Sequence, residues 1–129
     1  MKMHHALPLA MLVGIGIGAA AVQTLHAQAK PKAYLVTETE LLDAAALAEY
    51  TPKAQANVKA AGGRTGVVPA NGKIVGLIGD PPKRFGVSEW ESMEILQTYY
   101  KSPERQALNE LRAKAFKTVR QFIVEAPAK

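Results

Sequence analysis

The alternation of two hydrophobic periods along the chain is the feature that most limits its fold. The segment AYLVTETE (Ala33 to Glu40) alternates with period two and is rich in β-branched residues, a pattern typical of a strand. Apolar residues then recur at helical spacing from Leu47 to Ala61, which predicts a helix. Asp43 is suited to cap the start of that helix, and Gly62-Gly63 is expected to end it.

The second half of the chain continues the alternation with turns between its elements. RTGVVPANGKIVGLIG (Arg64 to Gly79) contains two β-like runs around Asn71-Gly72, a strong signal for a hairpin turn. RFGVSEW (Arg84 to Trp90) is predicted to be a third main strand, and TVRQFIVEA (Thr118 to Ala126) is predicted to be the last one.

Serine, threonine and proline mark where the helices begin. Ser92 caps a predicted helix from Met93 to about Lys101. Ser102-Pro103-Glu104 then combines a cap, a proline at the first position and an acid in the first turn, so a second segment begins there. This segment, SPERQALNELRAKAFK, is amphipathic, and its charged face is expected to be solvated. In the first helix, Thr51-Pro52 favours a break or a restart.

The order of these elements, β-α-β(hairpin)-β-α-β, is that of a split βαβ unit. We therefore predict an α+β, ferredoxin-like fold with a four-stranded antiparallel sheet, an extra hairpin and helices on one face. The other face would be uncovered and would expose Val36, with some of Val87, Phe122 and Val124. Because a large apolar sheet face usually has a partner, face-to-face pairing of two copies in a homodimer is the simplest expectation.

The apolar segment MLVGIGIGAAAV (Met11 to Val22) contains the G-x-G-x-x-A spacing of a dinucleotide-binding loop. Such a loop requires a preceding strand and an acidic residue about twenty residues further on. Pro8 interrupts the residues before it, and the first acidic residue of the chain is Glu38, beyond the sequence VQTLHAQAKPK. The match is therefore weak.

A secretory signal peptide accounts for more of these residues. Lys2 provides a positive start, Leu7 to Val22 is uncharged and apolar, and Ala27-Gln28-Ala29 matches a cleavage site. We predict cleavage after Ala29, with residues 1–29 as the signal peptide and residues 30–129 as a single domain. The protein would then be periplasmic or secreted, with no stable membrane insertion after cleavage. The alternative is an uncleaved anchor that tethers the protein to the membrane. The apolar segment from Leu7 to Val22 is close to the lower limit of about 17 residues for a membrane span.

The residue types that are missing exclude several chemistries. The chain has no Cys, and its three His (His4, His5 and His26) all lie in the predicted signal peptide. Zinc, copper and haem sites therefore lack their usual ligands, and Ser–His or Cys–His catalysis is excluded. We predict no metal and no cofactor. Basic and acidic residues are interspersed, so a nucleic-acid partner is not expected despite a formal net charge of +5.

Four side chains are candidates for binding a ligand. Glu38 lies on the first strand and could act as a general base if the inter-sheet space raised its pKa. Arg64 follows Gly-Gly at a strand start, where its guanidinium group could bind a carboxylate or a phosphate through two parallel hydrogen bonds. Trp90 could form the floor of an apolar pocket, and Tyr50 lies on the predicted first helix. Each also has a structural interpretation, as a salt-bridge partner or a packed core residue, and the catalytic residues stay unknown.

Long stretches of the chain resemble the domain-of-unknown-function 1330 family of the dimeric α/β-barrel superfamily. The resemblance covers Ala33 to Ala126, and its most specific parts are AGGR at 61–64, PPKR at 81–84, WES at 90–92 and SPE at 102–104. It implies a ferredoxin-like homodimer and no agreed activity. The segment RTGVVPANGK departs from the family pattern, in which a more aromatic strand follows Gly-Gly-Arg.

Two functions are compatible with these observations, besides a stress-related structural dimer that binds no ligand. The first is an exported homodimer that binds a small organic ligand in a pocket between the sheet and the helices. The alternative is a cofactor-independent enzyme, similar to the superfamily's monooxygenases or isomerases, with Glu38 or a tyrosine as the base. The lack of histidine after residue 29 favours binding, because many superfamily enzymes use a pocket histidine. Whether the protein is an enzyme is left open by the sequence.

Overall fold

The structure is a computed structural model that describes residues 30–128. The signal peptide predicted for residues 1–29 lies outside the described residues. Within the described range, strands and helices follow one another in this order: β1 (Ala33–Leu41), α1 (Ala44–Ala60), β2 (Gly63–Val68), β3 (Arg84–Trp90), α2 (Met93–Tyr100), α3 (Pro103–Gln106), α4 (Asn109–Ala115) and β4 (Phe116–Glu125).

The strands form an antiparallel sheet in the order β2-β3-β1-β4. β1 is central, and Val36 lies opposite Val87 on β3 and opposite Phe122 on β4. The unit β1–α1–β2 is thus interleaved with the unit that runs from β3 through α2 to β4. This is the split βαβ arrangement, and it confirms the predicted α+β, ferredoxin-like fold.

α1, α2 and α3 begin at the polar residues that were predicted to cap them, whereas α4 follows Leu108 without a side-chain cap. The Asp43 carboxylate accepts a hydrogen bond from the Ala46 N–H at 3.0 Å. The Ser92 and Ser102 hydroxyls accept bonds from the N–H groups three residues further on, at 3.2 and 3.3 Å. Each bond satisfies a backbone donor that has no partner inside its helix. No helix in the range 30–128 has both the length and the apolar character needed to cross a bilayer.

The first helix does not break at Thr51-Pro52, so this part of the prediction was wrong. α1 runs without interruption from Ala44 to Ala60 with Pro52 inside it. Proline removes one backbone hydrogen bond, but Ala46 before it and Val58 after it are both buried. Because both halves of the helix pack against the rest of the domain, tertiary packing keeps them in one helix.

The extra hairpin expected around Asn71-Gly72 is only half formed. The turn is present, because the Gly72 N–H donates to the Pro69 carbonyl at 3.1 Å. The run that follows it, residues 73–79, forms no strand. Pro69 ends β2, and β2 pairs instead with β3 across a register shift between Arg64 and Val68. Residues 69–83 therefore form a long loop, the β2–β3 loop, which carries Leu77 and Ile78 almost fully exposed.

The main core lies between the sheet and the first two helices. Trp90 and Leu96 are its largest fully buried side chains. They pack with residues from β1, α1 and α2, namely Ala33, Leu35, Val58 and Tyr99. A smaller cluster of Ala46, Ala115 and Phe116 joins α1 to the end of α4 and the start of β4.

No helix within residues 30–128 covers the opposite face of the sheet, which is called the open face below. Phe122 and Val124 on this face are 46% and 47% exposed, in agreement with the prediction. Val36 was also expected to be exposed, but it is buried, with 7% exposure. The expectation was wrong because β1 is central, so Val87 and Phe122 flank Val36 on both sides.

Candidate ligand-binding site

A cavity of about 610 Å³ lies between the helix-covered face of the sheet and α1. This volume is within the range of about 300 to 1,000 Å³ that small-molecule sites occupy. The sheet side is formed mainly by short side chains, including Thr37, Thr39 and Ser88. The α1 side includes Ala44, Ala48 and Ala54, and these small residues leave the space that larger ones would fill.

The β2–β3 loop forms a further wall of the cavity through Pro69, Ala70 and Asn71. The loop approaches β3 at Gly86, where an added Cβ would lie 3.1 Å from the Ala70 Cβ. A larger residue at position 86 would therefore push the loop away from the sheet. The absence of a side chain at Gly86 thus helps to set the position of this wall.

Aromatic residues line the part of the cavity where the helices meet β4. Tyr50 contacts Phe116 edge to face, with ring centroids 5.3 Å apart. Tyr99 stacks on Trp90 at 4.8 Å and also lines the cavity. Burial raises the pKa of Tyr99 above its usual value, and the nearby Tyr50 adds to this, against the opposing effect of Arg105 and Arg112. The Tyr99 hydroxyl is therefore protonated at neutral pH and available as a donor.

Hydrogen-bonded side chains connect the cavity wall to α2. The Tyr100 hydroxyl donates to Gln121 Oε1 at 2.9 Å, and Gln121 Nε2 donates to Thr37 Oγ1 at 2.9 Å. Gln121 and Thr37 both line the cavity. Their geometry is fixed by bonds between three different elements, so the polar part of the wall is preorganised.

Three arginines line the cavity: Arg84 at the start of β3, Arg105 on α3 and Arg112 on α4. The Arg105 guanidinium lies 3.9 Å from the centroid of the Tyr100 ring. The Arg112 guanidinium lies 5.3 Å from the centroid of the Phe116 ring. Among residues 30–128, no Asp or Glu lines the cavity. The cavity therefore combines an apolar body with positive charge.

These arginines were not among the residues predicted from the sequence to bind a ligand. The charged face of SPERQALNELRAKAFK was expected to be solvated, yet Arg105 and Arg112 are partly buried against the cavity. The chain divides this run into α3 and α4 rather than forming one helix. The signal that could have indicated them is the aromatic residues near them in the sequence, Tyr100 and Phe116.

Of the four predicted ligand-binding residues, Tyr50 lines this cavity. Trp90 lies behind it in the core, where its Nε1–H donates to Ser88 Oγ at 3.0 Å. Trp90 does not line the cavity, but it contacts Ser88 and Tyr99, which both do. Trp90 is 1% exposed, so it supports the wall rather than facing the space.

Glu38 and Arg64 lie on the open face, away from the cavity. Glu38 Oε2 is 2.7 Å from Arg120 Nε, and Arg64 is 3.0 Å from Glu89. Glu89 also accepts a hydrogen bond from Lys32 at 2.8 Å. The Lys32 bond lowers the pKa of Glu89, the Arg64 bond lowers it further, and the same pair raises the pKa of Lys32. Tyr50 and Trp90 are thus close to one site, and Glu38 and Arg64 are not.

Fold and site together define the class of protein: a ferredoxin-like α+β domain with a cavity between its sheet and its helices. The sequence also identifies the family within this class. Residues 32–127 match the model of a domain of unknown function, DUF1330, so the chain belongs to that family. No curated protein matches the chain.

Two similar crystal structures have been solved for the RPA0582 protein. The protein of unknown function from Rhodopseudomonas palustris is 16% identical, has a TM-score of 0.56, and the match covers 85% of this chain and 93% of that one. A methylated form of RPA0582 is 15% identical, with a TM-score of 0.57, covering 84% of this chain and 90% of that one. At this level of identity the likeness supports the fold alone.

Proposed function

We propose that the protein binds a small organic ligand in the cavity between α1 and the sheet. The observation that carries the proposal is the cavity itself, with its volume of about 610 Å³ and its largely apolar lining. A few convergent polar groups, among them Tyr50, Tyr99 and Gln121, would orient the ligand. Pockets of this composition are the usual binding sites of small molecules.

Binding is better supported than catalysis by a carboxylate or a tyrosine. Glu38 was the candidate base for a site between two sheets; it lies on the open face, outside the cavity, and pairs with Arg120. Tyr99 lines the cavity, but its raised pKa makes it a poor base near neutral pH. The alternative, an enzyme similar to monooxygenases or isomerases, would need another base in this site.

A pair of matched variants on α1 tests the binding proposal. Ala54 lines the cavity, whereas Ala56 is exposed on the same helix. Purified protein is screened by thermal shift against a library of small metabolites. We expect compounds that raise the melting temperature of the wild type to lose this effect in Ala54→Leu and to keep it in Ala56→Leu. No stabilising compound, or equal loss in both variants, would argue against a site in this cavity.

We also propose that two copies pair through their open faces to form a homodimer. Phe122 and Val124 are about half exposed there, and Tyr34, Phe85 and Val87 share the same face in the strand register. Pairing would remove this apolar surface from water. Light scattering coupled to size exclusion should give the mass of a dimer for the wild type and for Phe122→Leu, and that of a monomer for Phe122→Arg. A monomeric wild type at micromolar concentration would contradict the proposal.

Export is the third part of the proposal, and it depends on the sequence of residues 1–29. Expression of the full chain in a Gram-negative host, followed by mass spectrometry of each cell fraction, tests it. The expected product is a periplasmic or secreted chain that begins at Lys30. A full-length chain in the membrane fraction would instead support the uncleaved anchor, and a full-length chain in the cytoplasm would contradict export.

A further inference from the structure

We propose that the cavity takes an organic anion, a carboxylate carried on an apolar body. This inference rests on the proposed ligand-binding function and names the class of ligand. Its starting point is the charge of the lining, which includes Arg84, Arg105 and Arg112 and no acidic side chain. Three positive groups around a partly enclosed apolar space favour a negative ligand, since water screens charges less well there.

The arginines of the chain divide sharply between the two faces of the sheet. The chain contains five arginines. Arg64 and Arg120, on the open face, each form a salt bridge with a glutamate. The three arginines of the cavity form no salt bridge with any residue in the range 30–128. The arginines that have no glutamate partner are therefore the ones that line the cavity.

Aromatic rings rather than carboxylates position two of these guanidinium groups. Arg105 lies over Tyr100, and Arg112 lies over Phe116. A cation–π contact restrains a guanidinium without neutralising its charge with a carboxylate. Tyr100 is itself bound to Gln121, and Phe116 is packed against Tyr50, so both rings are restrained. The arginine side chains are thus partly ordered before a ligand arrives, which reduces the entropy lost on binding.

The remaining lining decides between a carboxylate on an apolar body and a purely inorganic anion. Leu47, Val58, Val68 and Phe116 contribute apolar surface to the cavity. Inorganic phosphate or sulfate would leave this surface without a partner. The Tyr99 hydroxyl, protonated at neutral pH, can donate to a carboxylate oxygen beside the arginine donors. An amphipathic carboxylate matches both parts of the lining.

The test compares probes that share a body and differ in charge. Titration calorimetry of the purified full chain is carried out with octanoate, octan-1-ol, octylamine and inorganic phosphate, and phenylacetate replaces octanoate in a parallel series. We expect octanoate or phenylacetate to bind at least about ten times more tightly than octanol, and the amine and phosphate to bind more weakly still. Raising the salt concentration should weaken the binding of the carboxylate more than that of the alcohol.

Variants then locate the charge that is responsible. Arg105→Gln and Arg112→Gln should each weaken carboxylate binding by about tenfold or more and leave octanol binding unchanged. Arg120→Gln removes the same charge from the open face and should change carboxylate binding less than about twofold. Arg105→Lys keeps the charge but loses the planar guanidinium group. Its affinity for the carboxylate should lie between those of the wild type and Arg105→Gln. Circular dichroism of every variant checks that it is folded.

The outcomes separate this inference from the function on which it rests. If octanol binds as tightly as octanoate, the cavity binds ligands but the assignment of an anion is wrong. If octanoate binds equally well to wild type and to Arg105→Gln and Arg112→Gln, the arginines do not form the site and the assignment is also wrong. If neither carboxylate binds, the anion is excluded, and the metabolite screen with Ala54→Leu decides separately whether the cavity binds anything.

Discussion

Of the Gly→Ala replacements in this domain, Gly63→Ala should be the most destabilising. An added Cβ at Gly63 would lie 2.7 Å from two ring carbons of Trp90 and 2.7 Å from Val58 Cγ1. Both neighbours are core residues, with exposures of 1% and 8%. Trp90 has little freedom to move, because it stacks on Tyr99 and donates a hydrogen bond to Ser88. The clash must therefore be relieved by the packed core.

The expected cost is about 3 kcal/mol of unfolding free energy, the upper part of the range for overpacked cores. Gly62→Ala provides the control, since Gly62 has a φ of 95° and open space, with its nearest contact at 4.0 Å. Backbone strain alone should cost Gly62→Ala about 1 kcal/mol. In a domain of this size, the two costs correspond to a fall in melting temperature of roughly 4 to 8 °C per kcal/mol.

Guanidinium unfolding followed by fluorescence measures both variants, because Trp90 is the one tryptophan of the chain. Val58→Ala removes one of the three close contacts, so it should cost less in the Gly63→Ala background than in the wild type. The reasoning is refuted if Gly63→Ala is no more destabilising than Gly62→Ala, or if the effects of Gly63→Ala and Val58→Ala are additive.

Three further predictions concern the helix cap, a carboxylate pair and the exposed loop. Asp43→Ala should lower the unfolding free energy by about 1 kcal/mol in urea denaturation, whereas Asp43→Asn should lower it less, and equal losses would contradict a capping role. Because the Lys32 bond lowers the pKa of Glu89 below its ordinary value of 4.5, its stabilising effect is present above that value and is lost as the pH falls through the lowered pKa. The stability difference between wild type and Glu89→Gln should therefore shrink on acidification below about pH 4.5, and a difference that does not vary with pH would contradict this. Leu77→Ser and Ile78→Ser should each change the unfolding free energy by less than about 0.5 kcal/mol, because these side chains are 94% and 98% exposed, and a larger loss would show that the loop packs against something.

The two faces of the sheet have different chemical characters, and this bears on both proposed interactions. On the open face, charged residues pair with one another around an apolar centre, as in Glu38–Arg120 and Arg64–Glu89. Such a surface can meet a second copy without burying an unpaired charge, which would be costly. On the cavity side, the three arginines form no salt bridge within residues 30–128 and no acidic residue of that range lies beside them in the lining, which suits a negatively charged ligand better than a second copy of the chain.

Local patterns were enough to predict the four strands of the sheet and the points where α1, α2 and α3 begin. Period-two and helical spacing identified the strands and helices, and Asp43, Ser92 and Ser102 are caps because their side chains bond to N–H groups only three residues away. Gly62 also ends α1 as expected, with a positive φ that a glycine adopts at little cost. These features involve neighbours in sequence, so the sequence by itself determined them.

The tertiary structure alone decided which side chains share a site. Glu38 and Tyr50 were both candidates, yet the register of β1 places Glu38 beside Arg120 on the open face, while α1 brings Tyr50 to Phe116 beside the cavity. The same is true of Pro52, where packing on both sides keeps the helix intact. Arg105 and Arg112 reach the cavity wall only because α3 and α4 pack against α1. Sites of this kind depend on strand pairing and helix packing between residues far apart in sequence. A local sequence pattern does not determine such contacts.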